Sequence, residues 1–336
     1  MMRTLVLIAA LAFAACSGET DTVAKTPPLN VKVLDEEITR LADRAAPARL
    51  EVAVQNIDGG EIWARNAVES FPMMSVFKAP LGAAVLAEVD AKRLSLDEVI
   101  TLGDMDLSPQ FSPISAAWPG RTTYTVRELL VAAVRDSDNT AADVLMRRIG
   151  GPGALKSWLL EKGIVGLRID RYERELAVEA VGMPSFRPAW RDPKAFEVAK
   201  LAVPEAERRA AWMAYAADPR DTTTASGALN FLRQLSNGDL ASPSSTALLL
   251  KLMTETTRGN ARLKAGLPEG ASLAHRAGTS DTNFGISAAT NDIGIVTLKD
   301  GRKYAVVVML AGSTADLKTR EAIIADAMRV VAKAIE

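Results

Sequence analysis

The chain has 336 residues, 48% of them hydrophobic and 24% charged, with a formal net charge of −1. That length holds one or two globular domains with a sizeable core, and the near-neutral balance without a basic stripe argues against a nucleic-acid partner. A single cysteine, Cys16, and a single histidine, His275, leave nothing from which to build a disulfide or a His/Cys-rich zinc site, so no metal and no other cofactor is expected.

Arg3 precedes an unbroken apolar run over residues 5–15, too short to span a bilayer as a mature helix but suited to an export signal. Two cleavage patterns fit. Ala12-Phe13-Ala14 suits an ordinary signal peptidase, whereas Phe13-Ala14-Ala15-Cys16 resembles a lipoprotein box in which Cys16 is lipidated. The polar stretch 17–28 would then serve as a tether. Either pattern exports the protein; the expected location is the periplasm, with a membrane anchor through Cys16 in the second case. The expected organisation is a signal over 1–15, a tether over 16–30 and a folded, monomeric body over 31–336.

Apolar spacing predicts a helix over 34–44, and alternation predicts a strand over 50–55 that returns through Asp58-Gly59-Gly60 into a second strand over 61–65. From 75 to about 218 the pattern reads as helices and loops only. The segment 75–91 is apolar on most sides, as a central buried helix would be. Thr125-Val126-Arg127-Glu128 is a capping box opening a helix to 135. Further helices are predicted over 139–149, 154–161, 205–217, 225–235 and 242–256. Residues 168–194, rich in charge, proline and glycine, read as a long functional loop. Strands return at 272–279, 286–298 and 303–310, and a final amphipathic helix covers 317–335. Strands from both ends of the chain around a helical insertion predict an α/β fold: an antiparallel sheet covered by the terminal helices (31–70 and 219–336), plus an all-helical subdomain (71–218).

Four segments carry candidate chemistry. In Phe71-Pro72-Met73-Met74-Ser75-Val76-Phe77-Lys78, a serine and a lysine at i and i+3 share a helix face, so an amine can sit beside a hydroxyl. With His275 the only histidine, a lysine or carboxylate is the available base for a serine nucleophile. Ser137-Asp138-Asn139 offers a hydroxyl to pass a proton and an amide to bind a substrate amide. Arg168-Ile169-Asp170-Arg171-Tyr172-Glu173-Arg174-Glu175-Leu176 offers a carboxylate to activate water. His275-Arg276-Ala277-Gly278-Thr279-Ser280 offers a cation, a glycine through which backbone can approach a ligand, and two hydroxyls, a carboxylate-binding edge. Asn291-Asp292-Ile293-Gly294-Ile295-Val296 is given only the structural role of the strand beside it. Taken singly, an N-cap serine, a solvated charge run and an ordinary edge strand explain these segments as well.

In this order, S-x-x-K, S-D-N and a K-T-G-like strand resemble the three signatures of serine penicillin-recognising enzymes. With Glu173 in an R-x-E-x-x-L context the chain resembles class A β-lactamases over nearly the whole mature sequence. Asp221-Thr222-Thr223-Thr224, Ala261-Arg262-Leu263-Lys264-Ala265-Gly266-Leu267-Pro268 and Asn291-Asp292-Ile293-Gly294 match as well. The interval from Ser75 to Ser137 and Thr282-Asn283 are similar to the subgroup with small active-site insertions. The resemblance implies a β-lactamase/transpeptidase-like fold and β-lactam antibiotics as substrates. It implies that Ser75 attacks the lactam carbonyl, with the N–H groups of Ser75 and Thr279 as oxyanion hole. Lys78 helps move the proton, Ser137 delivers it to the leaving nitrogen, and Glu173 activates the deacylating water. Asn139 would bind the acylamide, Arg276, Gly278, Thr279 and Ser280 the substrate carboxylate, and Phe111 would stand at the cleft mouth.

Three positions depart from the family pattern. Arg276 replaces a lysine, Ala277 a Thr or Ser, and Ala177 an asparagine that helps hold the deacylating water, and no replacement arginine is evident on the neighbouring strand at Ile286. Two other activities use the same nucleophile: a peptidoglycan D,D-carboxypeptidase or transpeptidase, which generally lacks the loop glutamate, and a β-lactam receptor that stays acylated.

Overall fold

A computed structural model describes residues 27–109 and 111–336; the apolar leader, both cleavage patterns and Cys16 lie outside the described residues. The main sheet runs, in spatial order, Ile62–Ala64, Arg49–Asn56, Lys303–Ser313, Ile286–Thr297 and Ser272–Thr279, every neighbour antiparallel. The central strand Lys303–Ser313 is buried on both faces, which is why it reads as a continuous apolar run. Tyr304, Val306, Val308 and Leu310 pack with the terminal helices Val31–Ala45 and Leu317–Ile335. Ala305, Val307, Met309 and Ala311 face the other way, into the core shared with the helical part.

The helical part is built around Lys78–Asp90, whose Leu81, Val85 and Leu86 have no exposure. Its neighbours start where side chains satisfy their first N–H groups. Thr125 and Glu128 form the expected reciprocal capping box, and Asp138 accepts the N–H of Ala141 at 2.9 Å to open Asn139–Arg148.

Three features differ from the sequence reading. The predicted helix over 75–91 is a 3-10 turn, Met74–Phe77, running into the α-helix. The stretch read as helices and loops contains a hairpin, Val99–Thr101 with Thr123–Thr125, and Phe71–Pro72 pairs with Thr222–Thr223 where the chain enters and leaves it. Strands of two or three residues are shorter than any alternation can reveal. The charged loop contains the helix Glu173–Glu179, and Pro193–Leu201 follows it.

Candidate active site

The tight turn Met74–Phe77 decides the first contact. A 3-10 turn nearly eclipses residues i and i+3, and Lys78 Nζ lies 3.1 Å from Ser75 Oγ. Met74, just before the serine, has φ of 50°, a strained value for a non-glycine residue. The turn is pressed against the edge strand: a Cβ added at Gly278 would lie 2.4 Å from the carbonyl oxygen of Met73. The close approach expected of Gly278 is therefore to the nucleophile's own turn. Asn291, on the next strand, donates from Nδ2 to the carbonyl of Pro72 at 2.7 Å.

Ser137 reaches the same point from the helical side. A π-helical turn, Ala132–Asp136, ends in Ser137 at φ 72°, and this left-handed residue puts its hydroxyl 3.2 Å from Ser75 Oγ. Lys78 is fully buried among these groups. Its Nζ contacts the Ser137 carbonyl at 3.0 Å, Asn139 Oδ1 at 2.5 Å and Glu173 Oε1 at 3.3 Å. Burial holds its amine below the usual lysine range, an effect that Glu173 opposes and the nearby Arg276 reinforces.

Glu173 is held by a residue that the sequence reading passed over. Asp143, fully buried on Asn139–Arg148, accepts the backbone N–H of Glu173 at 2.7 Å and of Arg174 at 3.1 Å, while Ser108 Oγ donates to it at 2.6 Å. It acts as an N-cap in trans for Glu173–Glu179. Burial pushes its carboxyl up to about 7, Ser108 pulls it down, and Glu173 raises it further. Arg171 ties down the base of the loop, through Nε to Asp221 at 2.6 Å and Nη1 to Glu179 at 2.7 Å. The only local hint of Asp143 is an aspartate inside an otherwise apolar helical run.

At the strand edge the structure redistributes the expected roles. Arg276 has no exposure and does not line the cleft; its Nη2 donates to Ser137 Oγ at 2.5 Å, so it stands behind that serine. Burial lowers it to about 10. Ser280 lines the cleft, and its hydroxyl also secures the turn there, donating to the Asp281 carbonyl at 2.9 Å and accepting the N–H of Ala289 at 3.0 Å. The cation lining the cleft near Thr279 is the buried Arg262, which donates from Nη2 to Thr279 Oγ1 at 2.5 Å, from Nη1 to the carbonyls of Gly278 and Asn291 at 3.0 and 2.9 Å and from Nε to Glu321 Oε1 at 3.2 Å. The neighbouring strand at Ile286 supplies no such arginine; it arrives from the 3-10 turn that precedes the edge strand. A cleft of about 670 Å³ is lined by Ser75, Ser137, Asn139, Glu173, Ala177, Arg262 and Thr279. Phe111, 44% exposed, stands at its mouth and is no core aromatic.

The model of the "Beta-lactamase enzyme family" matches residues 33–335. Among curated proteins, the chain is 35% identical to the extended-spectrum β-lactamase PER-1 of Pseudomonas aeruginosa over 280 residues, 83% of this chain and 80% of that one. It is 31% identical to β-lactamase VEB-1 of the same organism over 288 residues, 85% of each. Among solved structures, a β-lactamase from Chitinophaga pinensis superposes with a TM-score of 0.74 at 31% identity, covering 90% of this chain and 99% of that one. The ancestral Gram-negative class A enzyme gives 0.71 at 35%, covering 90% and 99%. With a motif order, a fold and a family model that agree over almost its whole described length, the chain belongs to the β-lactamase enzyme family, as a class A serine β-lactamase.

Proposed function

We propose that the protein hydrolyses β-lactams in two steps through an acyl-enzyme on Ser75. The observation that carries this reading is the convergence of Ser75, Ser137 and Glu173, from three separate segments, on Lys78 Nζ, each within 3.5 Å.

In the first step the Ser75 oxygen bonds to the lactam carbonyl carbon. Its proton enters the Lys78–Glu173 pair, whose amine and carboxylate lie 3.3 Å apart. The buried lysine is suited to this because desolvation favours its neutral amine. The backbone N–H groups of Ser75 and Thr279 bind the oxyanion. The lactam C–N bond then breaks and Ser137 gives its proton to the nitrogen, regaining one from Lys78, whose Nζ lies 3.5 Å from Ser137 Oγ, so that the proton first taken from Ser75 ends on the leaving nitrogen. Arg276 supports that direction of transfer: as a pure donor to Ser137 Oγ, it leaves the serine's own hydrogen for Ser75 or the substrate. In the second step Glu173 takes a proton from water, whose oxygen bonds to the acyl carbon. The bond from that carbon to Ser75 Oγ breaks, and the proton returns from Glu173 through Lys78 to Ser75 Oγ; Lys78 Nζ contacts both groups. Asn139 orients the acylamide, and Arg262 with Thr279 receives the ring carboxylate.

The same reading includes export to the periplasm, with Cys16 lipidated as a tether. It rests on the apolar run before that lone cysteine. Detergent-phase partition of the full chain, lost in Cys16→Ala, tests it. For the hydrolase, purified protein is mixed with many equivalents of a chromogenic cephalosporin. Sustained turnover is expected; one equivalent of product followed by silence would replace the hydrolase with a receptor that stays acylated.

A further inference from the structure

Arg258 carries a cation at the mouth of the cleft that the steps above do not use. Its guanidinium carbon lies 3.9 Å from the centroid of the Phe111 ring, and both residues line the cleft with Ser75, Asn139 and Arg262. Phe111 belongs to the helical side, where its carbonyl accepts the N–H of Asn139 at 2.9 Å. Arg258 follows the helix Pro243–Thr254 and is itself exposed. The stack therefore bridges two walls of the cleft.

The backbone beneath Arg258 is fixed. Thr256 Oγ1 and the N–H of Thr257 both donate to the carbonyl of Arg135, at 3.0 and 3.2 Å. Gly259, at φ +77°, is packed onto the edge strand so tightly that a Cβ there would lie 2.6 Å from the Cβ of Ala277. Ala277 is where the sequence has a methyl group in place of a hydroxyl beside the expected carboxylate position. The turn that holds Arg258 thus rests directly on the residue that offers a ligand no polar side chain. The Arg258 guanidinium rests its charge on the aromatic face of Phe111. That charge also reaches Arg276, which it pushes down.

We infer that Arg258 is a specificity-determining residue that rests on Phe111 in the free enzyme and pairs with the anionic ring substituent of the β-lactam on binding, in place of the hydroxyl that Ala277 does not supply. A guanidinium stacked on an exposed ring is stabilised only modestly and keeps its N–H groups available. A carboxylate arriving beside it and Arg262 offers charge-assisted hydrogen bonds that the ring cannot. The inference rests on the hydrolase reading and concerns substrate choice within it.

The test compares a cephalosporin with a free ring carboxylate and the methyl ester of the same compound, on the full chain, at low and high salt. Arg258→Ala is expected to raise KM for the acid about tenfold or more, with kcat little changed. The ester should be unaffected, and the salt dependence of kcat/KM for the acid should flatten. Arg258→Lys, which keeps the charge, should retain much of the preference for acid over ester, a rescue that a merely structural role would not give. Wild-type turnover with Arg258→Ala shifting acid and ester equally, or neither, overturns the inference alone. Absence of wild-type turnover on both compounds overturns the hydrolase reading and this inference with it.

Discussion

The carboxylate of Asp143 accepts the backbone N–H of Glu173 at 2.7 Å, so the expected water activator is positioned by a residue on a different helix, thirty positions upstream. Asp143→Ala would leave that N–H, the N–H of Arg174 and the Ser108 hydroxyl without their partner in a buried site. Unfolding stability should fall by about 2–4 kcal/mol, read by urea denaturation. Release of the acyl group should slow more than its formation, read by comparing steady-state turnover with the rate of adduct formation in intact mass spectra.

Glu173→Gln removes the carboxylate and keeps the side-chain shape. The variant should still acylate and then accumulate a covalent adduct on Ser75, while Ser75→Ala should form none. Intact mass after mixing with a cephalosporin checks both. If Glu173→Gln turns over like the wild type, another group activates the water.

Arg262→Ala should act twice. It removes donors from the carbonyls of Gly278 and Asn291, lowering stability by about 1–3 kcal/mol, and it removes the cation beside Thr279. A rise in KM of about tenfold or more for a substrate with a free carboxylate is expected, measured by initial rates.

Glu51 gives the molecule a pH-dependent stability remote from the cleft. It has no exposure; one oxygen accepts the N–H of Asn66 at 3.2 Å, and Oε2 has no hydrogen-bond partner among the described residues. Burial pushes its carboxyl up to about 7 against the weaker pull of Asn66 and Arg65. A raised carboxyl keeps its proton in the fold after the unfolded chain has released it. Its contribution is therefore full below about 4.5, declines as pH rises through 7 and is flat above. Glu51→Gln should gain about 2 kcal/mol over the wild type between pH 5 and pH 8, read by thermal or urea melts across that range.

What was legible in the sequence follows the range of the interactions. Ser75 and Lys78 are three residues apart, and the Thr125–Glu128 box closes on itself, so local spacing suffices for both. The sheet and its covering helices were also readable, because strands such as Lys303–Ser313 carry long apolar runs. Arg262, Asp143 and the true place of Arg276 were not, since each is defined by a partner far along the chain: Thr279, Glu173 and Ser137. A buried arginine and a surface arginine look alike in a sequence. The hairpin of Val99–Thr101 with Thr123–Thr125 escaped for another reason: it is set by pairing across a long excursion, with only three residues on each side.

The two terminal helices lie side by side, and the N–H of Asn30 donates to the carbonyl of Ala334 at 2.9 Å. The last helix, 19 residues long, runs about 28 Å from that meeting point back to Leu317, which lines the cleft. Asn30 thus sits at one end of this rod and the cleft at the other. Fusions or immobilising tags joined at the Asn30 end should therefore leave the entrance clear.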